Sequence, residues 1–181
     1  MNKQDKFLRI LCLCAMLTAV SVVIGILCKN FLTWNVYIRF TFENMPIIFI
    51  GYLFGPVWGT LCGLAADAVS CLCSSNPSWN PVISIGAGTV GFLSGLIPLF
   101  LKKRPPLFRL IVAAAFAHLV GQVCVKSVGK ILFFGMPPVF TLVGLGFSAV
   151  ICPLEIVFIR ILLKNESIHS QLKGLTHFDD V

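Results

Sequence analysis

Charge is what this sequence has least of. Only 12% of its 181 residues are Asp, Glu, Lys or Arg, and just seven of them are acidic. Soluble domains carry roughly 25%, so a surface built for water is excluded. No glycine-rich loop closing on Lys-Ser/Thr is present, and the chain therefore has no ATPase centre of its own. His, Cys, Asp and Glu do not gather at metal-ligand spacing, and no catalytic constellation emerges, which leaves a small membrane enzyme without its chemistry. No internal repeat is evident, against a self-sufficient ion-coupled transporter built from inverted halves, although Asp67 and Glu155 could be offered as its pair.

Apolar residues fill the space that charge leaves. They make up 57% of the chain, and the mean hydropathy is +0.95. This is the composition of an integral membrane protein. A helix needs about 20 residues to cross the hydrocarbon, so the length allows about six crossings with short loops and no separate soluble domain of ordinary size. The eight cysteines lie in or beside apolar spans, where a thiol acts as a small hydrophobe rather than part of a disulfide framework. The first apolar stretch, Leu11 to Leu27, exceeds the core of a secretion signal and reads as a retained helix.

The punctuation predicts an all-α bundle of six transmembrane helices. Spans run from about Phe7 to Cys28, Ile47 to Phe54, Val57 to Cys73, Pro81 to Leu101, Leu110 to Val125 (continuing toward Phe134) and Val139 to Leu163. Prolines at 46 and 81 suit first helical turns, and Pro153 suggests a kink. The second span is too short to cross upright, so it either borrows residues from the upstream segment or dips partway. Residues 1–165 form one membrane domain, and 166–181 form a polar cytoplasmic tail expected to be poorly ordered. With both termini cytoplasmic, the Lys and Arg residues divide ten inside against Lys29, Arg39, Lys126 and Lys130 outside, a positive-inside asymmetry. The basic cluster at Lys102, Lys103, Arg104 and Arg109 then serves orientation, and nucleic acid binding is not indicated.

The ionisable residues that topology does not explain mark a candidate site, because charges in hydrocarbon are costly and default to function. Asp67, in the outer half of the third span, must be paired, hydrogen-bonded or protonated. It suits a ligand with adjacent N–H donors, such as an aminopyrimidine edge, or else a structural bond to a neighbouring helix. Arg39, Lys126 and Lys130 could receive an anion, with Arg39 gripping a carboxylate bidentately; snorkelling to headgroups is the plainer account. Trp34, Tyr37 and Trp79 fit an interfacial belt or a stacking surface, with Trp79 favoured because Asn76 and Asn80 flank it. His118, Gln122 and Lys126 recur every four residues and form one polar stripe. Glu155 reads as structural. Small residues at four-residue spacing, Gly51-Gly55-Gly59-Gly63 and Gly91-Gly95, permit close helix approach, and Ala15 with Ala19 forms a similar stripe on the first helix.

The phrase Glu43-Asn-Met-Pro46-Ile-Ile-Phe-Ile-Gly51-Tyr-Leu-Phe-Gly55-Pro56-Val-Trp-Gly59, followed by Gly63-Leu-Ala-Ala-Asp67, resembles the folate-family substrate-binding (S) components of energy-coupling factor transporters. The Asn80-Pro-Val-Ile-Ser-Ile-Gly-Ala-Gly and Lys126-to-Pro137 stretches look similar too, and the resemblance covers roughly residues 7 to 165. It implies a six-helix vitamin-capture protein in the bacterial cytoplasmic membrane, without catalysis or cofactor. Its partners would be a transmembrane coupling subunit, facing Ala15 and Ala19, and two cytoplasmic ATPases that use the ATP. A folate has a pterin edge suited to Asp67 and a glutamate tail suited to Arg39, Lys126 and Lys130. The fifth span departs from the usual folate wording, so another heteroaromatic metabolite such as a deazapurine (queuine) is the alternative ligand.

Overall fold

The computed structural model describes residues 3–31, 41–73, 80–166, 172 and 175. Within them lie six helices and no strand: α1 Lys3–Phe31, α2 Asn44–Phe54, α3 Pro56–Leu72, α4 Pro81–Phe100, α5 Pro106–Phe134 and α6 Val139–Lys164. Four of these, α1, α4, α5 and α6, are long and apolar enough to cross a bilayer; α2 and α3 are shorter apolar helices. The chain runs without interruption through Pro153 inside α6.

Helix α2 is the centre of the bundle. Ten of its eleven residues are buried, and eleven residues rise about 16 Å, half of the roughly 30 Å hydrocarbon. The expected second span therefore takes in Asn44, Met45 and Pro46 from upstream and still covers only about half of that thickness. The incoming chain also enters the bundle: Thr41 and Glu43 are buried ahead of the helix, and buried Asn44 opens it. A short helix thus carries polar groups to depth. At its other end Gly55 takes φ 94°, a backbone angle suited to glycine, and turns the chain straight into α3 behind Pro56.

The glycine rows pack the interior, as their spacing predicts. A Cβ on Gly91 of α4 would run into the Gly59 carbonyl of α3, and a Cβ on Gly63 would stand 2.5 Å from the Ala87 carbonyl oxygen. Backbones meet there because nothing stands between them. The α5 helix changes hydrogen-bonding register to a π-helix over Ala117–Val125, the stretch carrying the expected polar stripe.

Two ends of the bundle differ in chemistry. At one, Lys29 at the close of α1 donates to Ser70 near the close of α3. There Glu43 and Asn44 meet Lys126. At the other, Tyr52 donates to the Pro106 carbonyl, Phe7 packs on Trp58, and Arg104 lies over Phe108. We call these the polar end and the basic end. In the C-terminal tail, Leu172 and Leu175 are buried against the core rather than held in solvent.

Candidate functional site

Among the described residues, two cavities at the polar end stand out. The smaller, about 220 Å³, is lined by Ser21 of α1, Glu43 and Asn44, Asp67 and Ser70 of α3, and Lys126 of α5, among others. The larger, about 500 Å³, lies along the seam between α5 and α6. Its polar lining is Thr41, Gln122, Ser127, Lys130 and Ser148; Phe140, Phe147 and Met136 supply apolar surface.

A hydrogen-bonded chain separates and joins them. The Lys126 ammonium donates to Glu43 Oε1 at 3.4 Å and to Asn44 Oδ1 at 3.5 Å. Asn44 Nδ2 donates to Gln122 Oε1 at 3.2 Å, and Gln122 Nε2 donates onward to Thr41 Oγ1 at 3.4 Å. Ser21 Oγ donates to the Glu43 carbonyl at 2.5 Å. Room for the ion pair comes from two glycines: a Cβ on Gly86 would stand 2.5 Å from Lys126 Cγ, and one on Gly25 would stand 2.9 Å from Glu43 Oε2. A buried lysine and carboxylate must pair, since either alone would carry a large desolvation cost.

The residues singled out from sequence are divided by this architecture. Asp67 lines the smaller cavity and accepts a 2.6 Å hydrogen bond from Ser84 Oγ. Lys126 lines the same cavity, whereas Gln122 and Lys130 face the larger one. The polar stripe on α5 thus borders two spaces, with Asn44 between them bonded to both Gln122 and Lys126. Asn80 caps α4, its side chain accepting from the Val82 N–H. His118 is buried one turn deeper and contacts Glu155 Oε2 of α6 at 2.6 Å. Ala15 and Ala19 lie exposed on α1. Arg39 and Trp79, together with Trp34, Tyr37 and Asn76, lie outside the described residues.

Sequence reasoning missed Glu43, Asn44 and Thr41 as interior groups. They read as an outer polar stretch, and only the brevity of the second span signalled that they would be drawn inside. Phe140 and Phe147, seven residues apart on α6, were hidden within an ordinary apolar run.

This helical architecture has known counterparts. A family model described as "ECF transporter, substrate-specific component" matches residues 9–163. The chain belongs to this family. Substrate-specific components are not enzymes; they are multi-pass membrane proteins that bind small vitamin substrates and partner with the ECF module. The crystal structure of FolT bound with folic acid superposes with a TM-score of 0.67 at 22% identity, covering 84% of this chain and 90% of that one. The S-component for biotin from an ECF-type ABC transporter gives 0.65 at 21% identity, over 95% and 99% of the two chains. At these identities the likeness shows the fold. A 95-residue stretch, 52% of this chain, is 30% identical to the uncharacterized MG313 homolog of Mycoplasma pneumoniae and spans 32% of that relative's length.

Proposed function

We propose that this substrate-specific component captures a folate, or a related pterin, in the α5–α6 cavity for ATP-driven uptake. The observation that carries this reading is the lining of that cavity. Phe140 and Phe147 offer apolar ring faces for a flat heterocycle, Lys130 offers a cation to a carboxylate, and Gln122 and the three hydroxyls supply directional bonds. A flat ring system with an anionic tail uses all of these. The network of Glu43, Lys126 and Asn44 stands behind Gln122 and orients its amide, while Asp67 and Ser84 tie α3 to α4 beside it.

The topology belongs to the same proposal. The bundle spans the bacterial cytoplasmic membrane with the short α2 inside it, the polar end faces outward, and both termini are cytoplasmic. Ten basic residues then face the cytoplasm. The exposed stripe of Ala15 and Ala19 meets the coupling subunit, whose two ATPase partners use the ATP. The chain needs no cofactor of its own.

One observation favours a second ligand. Lys126, counted from sequence among the cations awaiting an anion, is engaged by Glu43, so the need for an anionic ligand rests on fewer groups. A neutral or cationic deazapurine base such as queuine would also fill the cavity.

The test is a tryptophan-fluorescence titration of the purified protein with folic acid, repeated with queuine. Saturable quenching by folic acid alone is the expected result. A response to queuine alone would transfer the site to the second ligand, and silence with both would remove the two ligands together.

A further inference from the structure

One wall of the α5–α6 cavity has its hydrogen-bond direction set from outside it. Gln122 and Thr41 line that cavity, whereas Asn44, 1% exposed, lies behind Gln122 and lines the smaller one. The chain of bonds starts at Lys126, whose ammonium can only donate. It donates to Asn44 Oδ1 at 3.5 Å and to Glu43 Oε1 at 3.4 Å. An amide has one acceptor end and one donor end. With Oδ1 turned to Lys126, Asn44 has Nδ2 for Gln122, which must answer with Oε1, at 3.2 Å. Gln122 then has Nε2 for Thr41, whose Oγ1 accepts at 3.4 Å.

Each bond in this chain fixes the direction of the next. What remains at the cavity wall is the second N–H of Gln122 and the hydroxyl hydrogen of Thr41, neither with an acceptor among the described residues. This wall therefore offers donors. Lys130, on the same cavity, is donor-only as well. No carboxylate is among the described residues that line this cavity; Glu43 and Asp67 line the smaller one.

We propose that Asn44, held by Lys126, is a specificity-determining positioning residue: it keeps the Gln122–Thr41 wall a donor wall, which takes a ligand edge carrying two adjacent acceptors. The inference deepens the proposed capture of a folate or pterin in this cavity and rests on it. A pterin has such an edge, its C4 carbonyl oxygen beside ring nitrogen N5. A 7-deazapurine does not. The atom beside its carbonyl is carbon, and in queuine that carbon bears an aminomethyl arm protonated at neutral pH. Against this wall the arm sets donor against donor, with no lining carboxylate to receive its charge. The wall therefore favours the pterin, although both heads offer a flat ring to Phe140 and Phe147. Asn44→Asp reverses it. A carboxylate only accepts, so Gln122 must turn its amide nitrogen to position 44 and its Oε1 to Thr41, which then donates. Both groups then present lone pairs to the cavity. Glu43→Gln made together with it returns the buried cluster to one carboxylate beside Lys126.

The experiment is isothermal titration of the full-length protein in detergent with folic acid, 5-deazafolic acid (C–H in place of N5) and queuine. Wild type should bind folic acid about ten-fold more tightly than 5-deazafolic acid, the scale of one hydrogen bond from an otherwise stranded donor. In the Glu43→Gln, Asn44→Asp double variant, folic acid should weaken by about ten-fold or more. The gap between the two folates should close, and queuine should gain relative to folic acid. A merely loosened bundle would weaken all three probes alike and keep their ratios. Asn44→Ala unties Gln122 without adding charge; it should narrow the same gap, and it covers the case in which the double variant does not fold. Equal affinity of wild type for the two folates would overturn the donor wall and leave folate capture standing. An unchanged gap in the variants would overturn the role of Asn44. A wild-type protein that binds none of the three, or queuine alone, would overturn folate capture and the wall together.

Discussion

Lys126 Nζ and Glu43 Oε1 lie 3.4 Å apart with their side chains 4% and 9% exposed, although 83 residues separate them in sequence. The pair joins the short central helix to α5 and sets the rest of the polar end in place. Removing one partner strands a buried charge, which typically costs about 3–5 kcal/mol. Glu43→Gln and Lys126→Met should therefore each lower the unfolding temperature sharply in detergent. The double variant should lose clearly less than the sum, because it strands nothing. Additive losses in such a cycle would mean the two charges are not coupled.

The glycine seam makes a second prediction. Gly91→Val puts branched bulk against the Gly59 carbonyl, and overpacking of this kind costs about 1–3 kcal/mol. Because backbone rather than a movable side chain blocks the way, the upper end of that range is expected. Thermal unfolding monitored by circular dichroism measures it. Wild-type stability would show that α3 and α4 are not so closely apposed.

Asp67 and Gln122 should separate in ligand binding. Asp67→Asn keeps an acceptor for Ser84 and faces the smaller cavity, so affinity should change by less than about three-fold. Gln122→Ala removes a cavity-lining amide and should cost about ten-fold, the scale of one directional hydrogen bond. The same fluorescence titration reads both. A larger loss from Asp67→Asn would restore Asp67 as the direct partner of the ligand.

Lys130 predicts a salt effect. If it holds the ligand's carboxylate near the cavity mouth, folic acid affinity should fall as ionic strength rises. That slope should flatten in Lys130→Ala. An identical slope in both proteins would place the carboxylate elsewhere.

Ala15 and Ala19 predict a division of labour. Both are exposed, so Ala15→Trp or Ala19→Trp adds bulk to an outward face of α1. Ligand binding should persist while co-purification with the ECF module drops. Full retention of the complex would move the interface to another face.

Much of the bundle was legible because membrane helices announce themselves. Length, apolar runs and Pro or Gly breaks located all six helices to within a few residues, and the four-residue glycine rows matched the α3–α4 contact. The site was less legible, for identifiable reasons. Glu43 and Asn44 looked like loop residues because nothing local says how deep a short helix starts. His118, Gln122 and Lys126 looked like one stripe; Gln122 and Lys126 do share Asn44, whereas His118 meets Glu155 of α6. Glu155 reads as structural from sequence, but its partner across the bundle, His118, is not legible there.

The sequence by itself determined that this chain lives in a membrane, where its helices begin and end, and which family wording it carries. Those properties depend on hydropathy and on breaks that act over a few neighbouring residues. Only the tertiary structure decided which charges cancel and which face a cavity. Lys126 meets Glu43, and His118 meets Glu155, across 83 and 37 residues of chain. Such pairings follow from how whole helices pack, and packing is a property of the assembled bundle rather than of any one segment.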